Sequence, residues 1–452
     1  MGNKVQDSEL ELYACSVCSK TLALPYLFCP KCSEIVVYSS ASVEKSAISS
    51  INSIWDLDAF FPPINELISM QEGNTPIIPV QNFEGLQGLN VKLEFRNPTG
   101  SFRDRAASLI VSDAISRGIR KIVGVSTGSF SLSLAAYCSR AKIESVNVLP
   151  FTMELPKISQ LKIYGSEVIR KGQTLEAATI HAEKLAAQEE IYPMPQQNLL
   201  MIEGQKTIGL EIAYANPDIE SIIIPKGSGS LILSIYQGYK AALESDWISE
   251  IPKFFAISLE ETTKSYLVES LEVHQSELFD AVTMILEKTG GTEISINPDT
   301  MVSDALQLAK KEGFFIEPAA ASVISGAKSL KENGLIDLEN SVAILSGSGF
   351  NSINVFAEQM RETKKAVWGV SGVSNTKYEI LDKIAQGKAN YGYSLWVALG
   401  KSTSKQSIYQ HLTDLEEKGL IEYTKDGLKK IYRLSRIGKE TYLHIRDILS
   451  VF

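Results

Sequence analysis

Between Asn74 and Asn351, short β-branched runs alternate with helical stretches, and this alternation constrains the chain more than any other feature. Val91–Phe95, Lys121–Ser126, Ser145–Leu149, Ser221–Ile224, Phe254–Leu259 and Ser341–Leu345 have the length and residue types of buried strands. Ser101–Arg117 and Thr174–Gln188 carry helical spacing between them. The pattern predicts an α/β body in which helices cover a parallel sheet and ligands bind at the C-terminal ends of strands. Three predicted strand ends run into Gly/Ser-rich loops: NPTGS at 97–101, STGS at 126–129 and KGSGS at 226–230. A fourth, SGSG at 346–349, follows the last strand. Backbone N–H groups in such loops, beside helix N-termini, suit phosphate or carboxylate oxygens. Four of them on one sheet edge predict a pocket for an anion.

The order and spacing of longer motifs then become specific. EGNTP at 72–76, NPTGSFRDRAA at 97–107, STGS, EGQKTIGLEI at 203–212, KGSGS, EGFFIEPAAAS at 312–322 and LSGSG at 345–349 resemble those of threonine synthase. The resemblance covers roughly residues 1–360. It implies a pyridoxal-phosphate enzyme of fold type II, tryptophan-synthase-β-like. It also implies that Ser126, Thr127, Gly128, Ser129, Gly227, Ser228, Gly229, Ser230 and Ser346 border the cofactor pocket, with the Ser346 hydroxyl meeting the pyridine nitrogen.

The chain departs from that family where the cofactor is anchored. The residue after NPTGSF is, in the family, the lysine that forms an imine with the cofactor aldehyde; here it is Arg103. A guanidinium stays protonated and offers no free amine, so it cannot form that bond. Ser129 stands where the family has an asparagine, and Ser228 and Ser230 replace an asparagine and a glycine. Lys92, Lys206 and Lys226 lie near pocket motifs, but none follows the turn that aims a side chain at the aldehyde. Two uses of Arg103 stay open: an internal pair with a neighbour such as Asp104, or a clamp on a carboxylate or phosphate. The expectation is therefore a pseudoenzyme, with no catalytic residue and no covalently held pyridoxal phosphate.

Four of the five cysteines form two close pairs, Cys15/Cys18 and Cys29/Cys32, ten residues apart. Two such knuckles can present four thiolates to one cation, and this spacing predicts a structural zinc ribbon over residues 1–40. Two disulfides would need an oxidising compartment. MGNKVQDSELELY lacks the basic-then-apolar pattern of an export signal, and Gln6 breaks the myristoylation motif, so a cytoplasmic, nucleoid-associated location is expected. Cys138 reads as a small buried hydrophobe on a helix.

Beyond the body (41–370), GVSGVSN after Trp368 reads as a linker to a unit at 374–452. Helices are expected at Lys377–Gly387, Gly392–Leu399 and Ser404–Lys418, then a hairpin of Leu420–Tyr423 and Lys429–Leu434, then a helix from about Gly438. YGYSLWVAL…SIYQHLTDLEEKGLIEY resembles PadR-type winged helix-turn-helix regulators. That geometry would bring Ser404, Lys405, Gln406, Ser407, Tyr409 and Gln410 to the major groove and Lys425, Lys429, Lys430 and Arg433 to the backbone. Gly372–Phe452 carries thirteen Lys/Arg against nine Asp/Glu, in a chain of net charge −9, an asymmetry that fits a polyanion partner at one end. An apolar stripe on the last helix (Tyr442, Leu443, Ile445, Ile448) predicts a homodimer.

With 44% hydrophobic and 21% charged residues over 452 positions, the chain is a multi-domain globular protein. The leading expectation is a transcription regulator that binds double-stranded DNA and descends from a catalytically dead threonine synthase. Its old pocket would sense a small anionic ligand: an amino acid, a phosphorylated amino acid or a pyridoxal vitamer. The alternatives are an architectural DNA-binding protein without effector, and an active pyridoxal-phosphate lyase or synthase.

Overall fold

The computed structural model describes residues 13–450 except 16, 39, 127, 152, 154, 189–191, 193, 195, 197, 261–270, 272, 274, 358–374 and 428. Two compact units emerge, Met1–Ser352 and Ile353–Phe452.

The first unit opens with a small antiparallel sheet of β1 (Tyr13–Cys15), β2 (Thr21–Leu22) and β3 (Val36–Val37), with β1 in the middle. These strands are two or three residues long. The ribbon is joined to the body through Tyr26, which bridges to Asn198, and through the Pro25 carbonyl, which accepts from Leu199 N–H at 2.7 Å.

Two sheets follow. The larger is built from β4 (Ile77–Pro79), β5 (Asn90–Lys92), β9 (Ser221–Pro225), β10 (Lys253–Leu259), β11 (Thr292–Ile296) and β12 (Ser341–Ile344), in the spatial order β11-β10-β9-β12-β5-β4. Every pairing is parallel except β4 with β5. The smaller is parallel throughout, β6 (Lys121–Gly124), β7 (Glu144–Leu149) and β8 (Glu167–Arg170). SIIIP of β9 and SVAI of β12 are buried at every position, which is why they read as unbroken apolar runs rather than alternating ones.

Helices α1 (Arg103–Ser116), α2 (Ser129–Ala141), α3 (Leu155–Ile163), α4 (Leu175–Gln188), α5 (Leu200–Ala215), α6 (Ser230–Glu244), α7 (Phe279–Thr289), α8 (Pro298–Glu312) and α9 (Pro318–Glu332) cover the sheets. Helices α5 and α6 cross on bare backbone. A Cβ placed on Gly238 would lie 2.1 Å from the Lys206 carbonyl oxygen, and one on Gly209 would lie 2.4 Å from that of Ile235. This close crossing fixes the start of α6, and with it the KGSGS loop.

Two expectations are corrected. The loops do not share one sheet edge: NPTGS, KGSGS and SGSG follow strands of the large sheet, whereas STGS follows β6 of the small one. Strand Val91–Phe95 ends at Lys92, and Glu94–Arg96 form a 3-10 turn that directs the Glu94 carboxylate inward to Arg105. β4, β8 and β11 were not expected; they are short, and β8 and β11 are nowhere fully buried.

The second unit has helices Asn375–Ala385, Gly392–Ala398, Lys405–Glu417 and Arg436–Ser450, with β13 (Ile421–Asp426) and β14 (Lys429–Leu434) forming an antiparallel hairpin. Its core gathers Ile380, Leu381, Leu395, Ile408, Leu412, Leu415 and Ile445. Ser404 caps the third helix by accepting from Ser407 N–H at 3.1 Å. The hairpin runs in register from Ile421↔Leu434 to Asp426↔Lys429, longer than expected on its first strand. Most of the expected linker lies outside the described residues. Among the described residues, no helix is long and apolar enough to cross a membrane.

Candidate functional site: a cleft between two sheets and a cysteine cluster

A cleft of about 550 Å³ opens between the two sheets. It is bordered by Arg103, Ser126, Gly128, Ser129, Gly227, Ser228, Gly229, Ser230 and Ser346, so nearly all the pocket residues expected from sequence do meet. Thr127 lies outside the described residues. Residues missed in the sequence also line it, among them Leu27, Phe28, Met201, Ser276 and Glu317. The signal for Glu317 was present in EGFFIEPAAAS, a motif used only for its resemblance. Leu27 and Phe28 carried no signal for a cleft.

At one end lies a loop shaped to cradle an anion. The loop 226–230 enters α6 through Gly229, whose φ of +91° is a conformation suited to glycine, and a Cβ there would meet Val282 Cγ2 at 2.7 Å. The first-turn N–H groups of α6 have no intrahelical acceptor and stand at the positive end of the helix dipole. Ser228 Oγ donates to Ser230 Oγ at 3.3 Å, and Ser276 Oγ donates to the Ser228 carbonyl at 2.7 Å, which steadies the loop.

Arg103 reaches toward this cradle. Its Nη1 lies 3.4 Å from Ser230 Oγ and 3.6 Å from Met201 Sδ, and its guanidinium sits 4.5 Å from the Phe102 ring centroid and 5.2 Å from that of Phe130. Burial lowers its pKa to about 10, against the opposing pull of Glu317, and it remains charged at neutral pH. Burial likewise pushes the Glu317 carboxyl up to about 7, with Arg103 and Lys157 opposing. Of the two uses left open for Arg103, the pair with Asp104 is not made. Asp104 turns away and accepts from Thr99 N–H at 2.7 Å and Thr99 Oγ1 at 2.6 Å, closing the NPTGS turn, while burial raises its carboxyl to about 6.

The lysines near pocket motifs are committed elsewhere. Lys92 Nζ donates to Glu211 at 2.7 Å and to the Thr75 carbonyl at 2.9 Å; Lys206 Nζ donates to Glu203 and to the Phe60 carbonyl at 2.8 Å. Lys226 Nζ donates to Glu293 at 2.6 Å. Among the described residues lining the cleft there is no lysine.

The second cluster is at the N-terminus. The Sγ atoms of Cys15, Cys18, Cys29 and Cys32 lie within 4.8 Å of one another, with Cys15–Cys32 at 3.4 Å and Cys18–Cys29 at 3.8 Å. Sulfurs about 2.3 Å from a tetrahedral cation stand about 3.8 Å apart, so the set fits a metal. Backbone N–H groups of Cys18 and Val17 point at Cys15 Sγ and hold its thiol at about 6, which readies it as a thiolate. Cys138 is fully buried in the core, as expected.

The residues expected to touch DNA are exposed on the second unit, except for half-buried Ser407, and several are held by neighbours. Lys405 Nζ lies 4.8 Å from the Trp396 ring, Lys429 Nζ lies 5.1 Å from Tyr391, and Lys430 lies 3.8 Å from Tyr423 and 3.2 Å from Glu416. Arg433 pairs with Glu422 at 3.1 Å, while Ser404 caps its helix. Gln406, Tyr409, Gln410 and Lys425 are open to solvent.

Residues 68–347 match the family described as pyridoxal-phosphate dependent enzyme. A threonine synthase of Methanocaldococcus jannaschii is 32% identical over 329 residues, 66% of this chain and 80% of that protein. A threonine synthase of Bacillus sp. (strain ULM1) is 30% identical over 352 residues, 72% of this chain and 96% of that protein. Among solved structures, serine racemase from Dictyostelium discoideum covers 61% of this chain and 92% of its own at TM-score 0.52 and 22% identity, a likeness of fold. These matches point to an enzyme. They overturn the leading expectation of a regulator built on a catalytically dead body, and they place the chain in a family that depends on pyridoxal phosphate, against the expectation that none is held covalently.

Proposed function

Because the chain belongs to the pyridoxal-phosphate-dependent enzyme family, we propose that it is an active lyase or synthase that binds pyridoxal phosphate in the cleft and acts on a small amino acid. Threonine formation from phosphohomoserine is the first activity to assay, given the threonine synthases it resembles. The observation that carries the reading is the convergence of the phosphate cradle, the buried Ser346 hydroxyl and Arg103 in one cleft.

The fit to the cofactor is uneven. The cradle at 227–230 suits its phosphate and Ser346 suits its ring nitrogen, but no lysine among the described lining residues offers the anchoring amine. Retention then falls to charge and hydrogen bonds. Arg103, beside Ser230, supplies a permanent cation at the cradle, where a guanidinium binds phosphate oxygens in pairs. When bound, the cofactor would supply an electron sink for the substrate's α-carbon. Glu317 carries an exchangeable proton near neutral pH at its carboxyl, and the rings of Phe102 and Phe130 shield the guanidinium from water. The test is equilibrium dialysis of pyridoxal phosphate against the full chain, followed by product assays with phosphohomoserine, threonine and serine. Saturable binding with one product supports the reading; neither binding nor product from any of the three refutes it.

The cysteine cluster is proposed to hold one structural zinc ion. For the second unit, contact with double-stranded DNA remains a proposal about a partner rather than about the activity. It rests on a capped helix whose Gln406, Tyr409 and Gln410 are exposed beside the β13–β14 hairpin, in a winged-helix arrangement. A mobility-shift titration of Lys405→Ala/Gln406→Ala decides it: affinity and sequence preference equal to wild type would remove the proposal.

A further inference from the structure

The cysteine ribbon and the cleft are neighbours in this fold, and the segment between them belongs to both. Pro25–Cys29 is anchored at its first end by Leu199 N–H on the Pro25 carbonyl, 2.7 Å, and by the Tyr26–Asn198 bridge. At its other end stands Cys29, a member of the four-thiol cluster, whose N–H donates to the Glu34 carbonyl at 2.7 Å. Between the two ends lie Leu27 and Phe28, and both line the cleft. Leu27 is buried and its carbonyl accepts from Val36 N–H at 2.9 Å; half-buried Phe28 bridges to Ile35.

The opposite strand of this contact leads straight to the anion site. Leu199 precedes α5, and two residues on, Met201 lines the cleft with its sulfur 3.6 Å from Arg103 Nη1. The ribbon therefore supports the same corner of the cleft that positions the guanidinium.

Apart from the packing of Tyr13, Leu22, Leu27 and Val36 into the core of the body, the ribbon is held by few backbone bonds of its own. Its strands pair over two residues each, β1 with β2 and β1 with β3. In small metal ribbons of this kind, metal binding is itself folding free energy. We propose that the cysteine ribbon is a wall of the ligand cleft, so that metal bound at Cys15, Cys18, Cys29 and Cys32 sets how tightly the cleft holds its ligand. The coupling works by place: the metal fixes the Cys29 knuckle, the knuckle fixes Leu27 and Phe28, and these close one side of the cleft. It rests on the reading of the cleft as a pyridoxal-phosphate site.

The experiment uses the full chain loaded with one equivalent of zinc, the same chain stripped with a chelator, the stripped chain reloaded, and zinc-loaded Phe28→Ala. Each is titrated with pyridoxal phosphate. Stripping should weaken binding about tenfold, equivalent to ~1.4 kcal/mol, and zinc should restore it. Phe28→Ala should weaken binding while keeping its zinc. Equal affinity in stripped and loaded chains, or in Phe28→Ala and wild type, overturns the inference. If stripping unfolds the whole chain, Phe28→Ala alone decides. If the zinc-loaded chain binds no pyridoxal phosphate at all, the cleft assignment has failed instead, and hydrogen exchange then tests the coupling. The amides of Cys29, Val36, Leu199 and Met201 should exchange faster after stripping, and unchanged exchange at Leu199 and Met201 overturns it.

Discussion

Replacing Arg105 by methionine should cost about 3–5 kcal/mol, because it leaves a carboxylate buried without its partner. Arg105 is fully buried. Its Nε and Nη2 each donate to Glu94 at 2.8 Å, and its Nη1 and Nη2 donate to Glu211 at 2.5 and 2.8 Å. Lys92 completes the group at 2.7 Å from Glu211 and 4.0 Å from Glu94. Two cations and two carboxylates balance; without Arg105 the group carries −1, and Lys92 lies too far from Glu94 to serve both. Methionine fills most of the vacated space, so packing loss adds less than about 1.5 kcal/mol. Against a typical stability of about 5–15 kcal/mol the loss is large, and it should lower the urea midpoint by on the order of 1 M. The site should feel it too, since Arg105 pins the first turn of α1, from which Arg103 projects. Arg105→Met/Glu94→Gln restores neutrality and should recover most of the loss. A pH dependence follows too. Burial alone would raise the Glu211 carboxyl, but Arg105 and Lys92 override it and hold it at about 2. A lowered carboxyl stabilises the fold above its unfolded value of about 4.3 and loses that contribution as pH falls toward 2. In Arg105→Met this support is missing, so the deficit should be greatest near neutrality and shrink below about pH 4. A single variant within about 1 kcal/mol of wild type, or a deficit that Glu94→Gln leaves untouched, would refute the reasoning.

Arg103→Lys should create a cofactor bond that borohydride fixes, read as an intact-mass increase that dialysis does not remove; no fixation would show that position 103 does not face the cofactor aldehyde. Glu317→Gln should flatten stability against pH between about 4.5 and 7, because a carboxyl raised to about 7 destabilises the fold increasingly as pH rises through that window. Urea midpoints across the window check it, and a slope equal to wild type would count against the buried acid. Gly238→Ala should lose about 1–3 kcal/mol despite alanine's better helix propensity, since its Cβ would stand 2.1 Å from the Lys206 carbonyl. Weaker pyridoxal-phosphate binding should accompany it as α6 and its loop shift, and unchanged affinity would separate the crossing from the cradle.

The strands that could be read from sequence were those buried on both faces. SIIIP and SVAI announce themselves because burial leaves an unbroken apolar run after the first serine. TEISI of β11 is half-buried at best and looks like loop, and three-residue β4 has too few positions to show a period. The division into two sheets was invisible because each strand–loop–helix unit looks alike whichever sheet it joins; only long-range pairing assigns β6 to β7 rather than to β5. That is why four glycine loops read as one edge, when three follow strands of the large sheet and STGS follows β6 of the small one. The cysteine cluster was fully legible, since knuckle spacing is local. Its nearness to the cleft was not, because Tyr26 meets Asn198 across the intervening chain.

The expected pseudoenzyme rested on the missing imine lysine, with a pyridoxal vitamer kept among the ligands expected in the pocket. The chemistry of a guanidinium settles only that position 103 forms no imine. It leaves the loop at Gly229, the N-terminus of α6, the Ser228 and Ser230 hydroxyls and the buried Ser346 in place, and these would meet the phosphate and the ring of a bound cofactor rather than its aldehyde. A charged guanidinium 3.4 Å from Ser230 strengthens the phosphate end of that set. With no lysine among the described lining residues, a bound cofactor would be retained by charge and hydrogen bonds, and its binding would then depend on salt, because a charge-held phosphate competes with other anions where an imine does not. High phosphate should therefore displace the cofactor from the wild-type chain and fail to displace it from Arg103→Lys; cofactor that stays on the wild-type chain through dialysis in high phosphate would refute retention by charge.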